Sequence, residues 1–404
     1  MRSGFSPNEV RYYSRYTCIG IANIFFGGTL LQAFLSARGV GSEQIGMISA
    51  TFSIVQMLTM LLFSAAVDKL RDPLKKSALF IGFLPLYFLA LLPITLISDM
   101  PAQTIFSVVM TAGVVQSVFL GLHGILDYRI PYQIIDMRDY ARFNSYAGII
   151  SGVMTVAVSS LTTFALARFA MDRVMSVMYA LSALCMAAAS LFTRRMKSVE
   201  MPAQTASKQD SGLLATIKLP AFRVLFLPNL MRGFNTGVLG MLATVAIHEL
   251  GISAAQTSSM SVISTAAAIF GAYGFMRLAR RFRVHWLYFG ASIAMCCALP
   301  LLLPAGDYAV FAAVYACLVL GQAVADNAAP VLVAKLVPYE CIGSFTSIRI
   351  GVYTGGISLG SMSAGFVLGR MPVMWLLLFS GLMQLGSGLV YYLFARANAD
   401  LLDS

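Results

Sequence analysis

A chain in which stretches of about 20 mostly apolar residues recur from end to end has few folds open to it, because each stretch suffices for one helix to cross the bilayer hydrocarbon. On that rule the 404-residue sequence predicts twelve spans. Those of the first half lie near 14–36, 44–67, 76–98, 103–135, 143–167 and 173–193. The second half places them near 221–248, 256–278, 284–304, 307–335, 342–368 and 372–395. Between the halves, Arg194 to Leu219 is rich in Ser, Gln, Lys and Asp with little apolar periodicity, and reads as a linker. The expected fold is an all-α membrane protein of two six-helix bundles, residues 1–195 and 220–404, joined by a linker at 196–219.

Composition agrees with this reading. Hydrophobic residues make up 58% of the chain and charged residues 11%, against roughly 25% charged in a soluble domain. The net charge of +11 could point to a nucleic-acid partner, yet the basic residues sit in short loops between apolar runs. They crowd one side (the N-terminal tail, Lys69 to Lys76, Arg194 to Arg223, Arg277 to Arg283), while the opposite loops hold Arg38, Arg168, Arg173 and Arg370. The positive-inside rule then places both termini in the cytoplasm and calls for no nucleic acid. Residues 1–15 are polar, so no cleavable signal is expected ahead of the first span. Cys18, Cys185, Cys296, Cys297, Cys317 and Cys341 show no metal-ligand spacing and read as packing thiols.

The two halves repeat one another. At an offset of 199, Asp127 returns as Asp326, Pro131 as Pro330, Tyr140 as Tyr339, Ser145 as Ser344, Gly152 as Gly351, Thr155 as Thr354 and Ser159 as Ser358. At an offset of 212, Asn23 matches Asn235, Gly28 matches Gly240, Gly39 matches Gly251, Gln44 matches Gln256 and Phe63 matches Phe275. Each repeat holds an even number of spans and starts on the same side, so the halves are expected to be parallel repeats about an axis along the membrane normal.

Polar groups inside the spans mark the site. His123 and Asp127 are four apart and share a helical face with Gln116, and Gln322 and Asp326 repeat that geometry. A charge at mid-membrane costs about 2.5 to 3.5 kcal/mol on insertion scales, so such residues normally face a polar interior and carry function. The other reading is an ion pair or hydrogen bond that holds helices together. Three arginines also fall within spans: Arg129, Arg232 and Arg349. Arg129 is two residues from Asp127 and points away from its stripe, which also fits a snorkelling side chain. Similar depth predicts that Asp326 pairs with Arg349 of the next span. The position equivalent to Arg349 in the first half is Ile150, so Asp127 is expected to lack a cation and to carry the coupling proton. Glycines spaced by four (Gly148 and Gly152, Gly351 and Gly355, Gly356 and Gly360) are expected to bring helix backbones close.

Six spans, a cytoplasmic linker and six spans resemble the major facilitator superfamily over nearly the whole chain. After the second span that superfamily carries a glycine, an aspartate and a basic cluster. Here Ser64 to Lys76 keeps Asp68 and the basic cluster but replaces the glycines, and the resemblance implies that Asp68 is a gate residue. Ile130, Pro131 and Tyr132, followed by Asn144, Ser145 and Tyr146, resemble the glycoside and cation symporter branch, although residues 44–67 lack the acids that branch uses for its cation. The proline that drug and proton antiporters carry on the fifth span is also missing from Gly148 to Val158. In the superfamily the first, fourth, seventh and tenth spans line a central cavity. The resemblance therefore implies substrate contacts from Asn23, His123, Arg232, Asn235, Gln322 and Asn327 around Asp127 and Asp326.

The expected function is secondary transport of a small polar solute, sugar-like or an organic anion, across a bacterial inner membrane by alternating access, coupled to protons, by a monomer. An exporter of amphipathic compounds and a transport-inactive membrane sensor are the alternatives. Phosphate-binding loop, nucleophilic triad and zinc ligands are all missing from the sequence, so neither an enzyme nor a cofactor is expected.

Overall fold

The computed structural model describes residues 5–67, 72–127, 130, 134, 140–197, 220–305, 307–336, 342–368 and 370–398. Asp68, Arg129, Pro131, Cys341 and most of the linker lie outside them. Among the described residues the regular structure is helical, as hydrocarbon demands, since only a helix or a closed barrel satisfies its own backbone there.

In the first half the helices are α1 (Pro7–Phe26), α2 (Thr29–Ala37), α3 (Ser42–Val67), α4 (Pro73–Phe83), α5 (Pro85–Leu96), α6 (Ala102–Asp127), α7 (Tyr140–Leu166) and α8 (Met171–Arg195). In the second they are α9 (Pro220–Gly240), α10 (Leu242–Leu250), α11 (Ala254–Leu278), α12 (Val284–Ala298), α13 (Tyr308–Leu336), α14 (Ile342–Val367) and α15 (Val373–Ala397). Among the described residues ten helices or continuous helix pairs are long and apolar enough to cross a membrane, and the pair formed by α9 and α10 raises this to eleven. The expected twelve included α14, whose 26 residues spend many positions on Gly and Ser rather than apolar bulk and which is not among the eleven. Large apolar side chains stand exposed on the outer faces, Leu62 at 74% and Leu184 at 69%, which water would penalise and lipid tails accommodate.

Breaks in the long helices recur at matched positions. The first long helix of each half breaks near its middle, at Gly27 and Gly28 between α1 and α2, and at Met241 after Gly240 between α9 and α10, where the bend is 43°. Each short second piece ends on a left-handed glycine, Gly39 at φ 79° and Gly251 at φ 63°, a conformation that burdens any residue with a Cβ. The next helix then opens on matched capping. Ser253 and Gln256 form a reciprocal capping box, and Gln44 accepts from the Gly41 N–H at 3.3 Å.

Packing follows the halves. Helix α1 lies against α7 and α8, and α6 against α3, α4 and α5; α9 lies against α14 and α15, and α13 against α11 and α12. The halves meet where α3 packs on α14, α7 on α11, and α2 on α10 and α11. Helix α14 has glycines on two faces. A Cβ on Gly356 would stand 2.8 Å from the Gly233 Cα of α9, and one on Gly355 2.7 Å from the Met57 Sδ of α3. Of the spaced glycines, Gly356 and Gly360 meet the backbone of α9, Gly152, Gly351 and Gly355 meet the side chains of Ile269, Leu61 and Met57, and nothing lies within 4 Å of the Gly148 Cβ position.

Candidate functional site

Each half holds an arginine on its first long helix that reaches an aspartate on its fourth span. In the first half, Arg15 of α1 is fully buried and its Nη2 donates to Asp127 Oδ1 of α6. The same nitrogen lies 3.3 Å from His123 Nε2, and His123 Nδ1 lies 3.1 Å from Ser77 Oγ of α4. The guanidinium also stands over the Tyr12 ring at 5.5 Å. A guanidinium taken out of water needs a carboxylate, and among the described residues Arg15 of α1 is the arginine that meets Asp127.

This overturns the expectation that Asp127 lacks a cation. Arg15 reads in the sequence as part of a polar cytoplasmic tail, but the Ser6 and Glu9 capping box starts α1 at Pro7 and carries Arg15 two turns into the bundle. The argument that made Asp127 a proton carrier for want of a partner falls with it.

In the second half, Arg232 Nη2 of α9 donates to Asp326 Oδ1 of α13. Gln322 Nε2 donates to the same oxygen at 2.9 Å and to Thr236 Oγ1 at 3.3 Å. Thr236 also accepts from Tyr353 OH at 3.0 Å, and Arg232 lies 5.0 Å from the centre of the Tyr353 ring. The expected Asp326 to Arg349 pair does not form. Sequence neighbours are not packing neighbours here: α13 lies against α11 and α12, whereas α14, which carries Arg349, lies between α9 and α3.

Between the halves lies a cavity of about 300 Å³, at the lower end of the range for small-molecule sites. Its polar wall comes from Asn23 of α1, Gln32 of α2, Ser49, Ser53 and Gln56 of α3, Thr236 of α9 and Ser361 of α14, and its apolar wall includes Phe26 and Phe52, stacked at 5.7 Å. Thr236 belongs both to this wall and to the Arg232 and Asp326 cluster, so the second-half pair borders the cavity.

The residues singled out from the sequence fall into distinct places. Asn23 lines the cavity, and Gln322 reaches its edge through Thr236. His123 is buried behind it against Arg15 and Ser77. Asn235, expected to touch substrate as the equivalent of Asn23, is fully buried inside its own half: it accepts from Ser380 at 2.7 Å and donates to Gln384 at 3.3 Å. Asn327 is exposed and donates back to Ala323 O of its own helix at 2.7 Å. Gln32, Ser49, Ser53 and Gln56 escaped notice because a lone hydroxyl or amide in an apolar run carries no signal of direction.

One end of the cavity is tied shut across the halves. Gln32 donates to Gly240 O at 2.7 Å and accepts from Thr244 at 2.9 Å, Thr29 and Ser261 meet at 2.9 Å, Thr163 donates to Ser258 at 2.9 Å, and Arg370 pairs with Glu43 at 2.7 Å. All of these lie toward the end that carries Gly39 and Gly251. Toward the other end, the side chains of Asp127 and Asp326 keep 31% and 43% of their surface exposed.

A helical, multi-pass membrane protein with a polar cavity between two sets of helices has the form of a solute transporter. Solved structures place it more closely. The chain is similar to the nucleoside transporter NupG over 95% of its length and 98% of that chain, at 14% identity and TM-score 0.70. It is similar to a D-xylose–proton symporter over 96% and 97%, at 13% identity and TM-score 0.72. A bacterial homologue of the human lysosomal transporter Spinster, in an inward-facing and unoccupied conformation, matches over 99% of both chains at 13% identity and TM-score 0.68. The chain shares the fold of these three solved structures, each of which is a transporter by name. No family model matches the sequence, and no curated protein matches it either.

Proposed function

We propose that the protein is a secondary transporter that carries a small polar solute, sugar-like or an organic anion, across a bacterial inner membrane by alternating access, with protons as the coupling ion. The observation that carries this reading is the cavity between the halves, walled by amides and hydroxyls from both and tied across at the end of Gly39 and Gly251. Its Arg232 and Asp326 rim gives an anionic solute a guanidinium to compete for, while the amide and hydroxyl wall suits hydroxyl groups. In this proposal two six-helix bundles, residues 1–195 and 220–404, rock about an axis along the membrane normal on a cytoplasmic linker. Both termini are cytoplasmic, the tied end is periplasmic, the unit is a monomer, and Asp68 serves as a gate.

Purified protein in liposomes, offered hydroxylated neutral solutes and organic anions with and without an imposed pH gradient, tests the reading. Uptake of one class, accelerated by the gradient and reduced by Gln56→Leu, is expected. Folded protein that moves no solute in either condition would favour the membrane-sensor alternative.

A further inference from the structure

The contact between Arg15 and His123 constrains where protons are. A guanidinium has N–H donors and no acceptor, so Arg15 Nη2 at 3.3 Å from His123 Nε2 is a hydrogen bond only if that ring nitrogen carries a lone pair. The imidazole then keeps its proton on Nδ1 and donates it to Ser77 Oγ, 3.1 Å away. Nη2 of Arg15 donates to Asp127 as well, while its Nε and Nη1 have no hydrogen-bond partner among the described residues although the side chain is fully buried. One guanidinium nitrogen thus serves two acceptors, an arrangement that exists for neutral His123 and ionised Asp127.

We infer that His123, not Asp127, binds the coupling proton, and that the proton on Nε2 and the Arg15 guanidinium compete for the place beside Asp127. In the step, a proton from water on the open side bonds to the Nε2 lone pair; Nδ1 keeps its hydrogen, Asp127 stays a carboxylate, and the cluster goes from neutral to one positive charge. Two donors and two cations then face each other where a hydrogen bond was. His123 is four residues before Asp127 on the same helical face, so the imidazolium can take the carboxylate as its own partner. Arg15 is thereby released. It stands eight residues, about 12 Å, before Asn23 on α1, so its movement is passed along the helix that lines the cavity.

Among the described residues, the other titratable groups leave this competition undisturbed. Tyr16 of α1 shares the surroundings of Arg15 and Asp127. Lys75 and Lys76 of α4 are exposed, whereas Ser77 is buried. Of the remaining helices packed on α6, α5 has no charged residue, and in α3 the one charged residue, Glu43, pairs with Arg370 at the tied end.

The inference rests on the proton-coupled reading above, but its test needs no solute. The chain has 3 histidines, so ¹⁵N spectra of imidazole-labelled protein in lipid are simple, and His123→Gln assigns the signal. At about pH 8 the His123 signal should be that of a neutral ring protonated on Nδ1, and acidification should convert it to imidazolium. No infrared band of a protonated carboxyl that Asp127→Asn removes should appear over that range. Arg15→Gln should raise the proton affinity of His123 about tenfold, one unit in midpoint, because the competing cation is gone. A neutral ring protonated on Nε2, a His123 that stays neutral while Asp127 gains a proton, or a midpoint unmoved in folded Arg15→Gln protein would each overturn it. Should Arg15→Gln not fold, the wild-type titration decides alone. Loss of solute uptake in liposomes bears on the transport reading, whereas these spectra bear only on where the proton sits.

Discussion

Arg15 and Arg232 make the same kind of bond in unequal surroundings, and the inequality predicts different costs. Arg15 is fully buried, so Asp127→Asn strands a guanidinium and should cost about 3 kcal/mol or more in unfolding free energy. Arg15→Gln leaves instead a carboxylate that already keeps 31% of its surface open, and should cost less. The double variant should recover part of the Asp127→Asn loss; a cycle with no coupling between the two positions would deny the pair any energetic role. Arg232→Gln frees Asp326, which is 43% exposed and can hydrate, so the protein should stay folded while affinity for an anionic solute drops tenfold or more and that for a neutral one holds. Unchanged binding of both classes would remove Arg232 from the site. Asp127 and Asp326 were readable in the sequence because an acid inside an apolar run has few innocent explanations. Arg15 was not, because it follows a polar N-terminal stretch and looks like loop charge. Asn235 shows the opposite failure: it stands out as polar, yet only the packing of α9 on α15 shows that its amide is spent on Ser380 and Gln384.

Among the helices, the breaks matter as much as the lengths. The interruptions at Gly27 and Gly28 and at Gly240 and Met241 fall where the sequence matched Gly28 to Gly240, so these two breaks were legible as identity before they were visible as shape. What identity could not give was the order of packing, since α13 and α14 are consecutive and yet turn to different partners. Two substitutions of the same class should therefore behave differently. Gly356→Leu drives a side chain into the α9 backbone and should cost at least about 1 to 3 kcal/mol, read by thermal unfolding in detergent. Gly148→Leu meets open space and should be near neutral. Equal destabilisation by both would mean that close approach of α9 and α14 is not what Gly356 serves.

For the whole molecule, the ties between halves predict where motion must be released. The Glu43 and Arg370 pair is exposed on both sides, so its contribution to stability should be no more than about 1 kcal/mol, but it marks two residues of opposite halves that touch at the tied end. Cysteines at these positions, joined by a thiol crosslinker, should stop solute uptake in liposomes, and reduction of a cleavable linker should restore it. Uptake that continues through the crosslink would show that the halves do not part there. Helix α14 has a mechanical consequence beyond holding glycines. Against α9 it rests backbone on backbone at Gly356 and Gly360. On α3 its glycines do so at Gly365 over Gly46, near the tied end, and further along Gly355 and Gly351 rest on Met57 and Leu61, whose side chains can yield. A rod clamped to one neighbour, and set hard against the other near one end but on yielding side chains further along, is a lever with its fulcrum at that end. With about 21 Å between Gly365 and Gly351 at the helical rise, a tilt of about 10° at the fulcrum would swing the far arm by about 4 Å across α3.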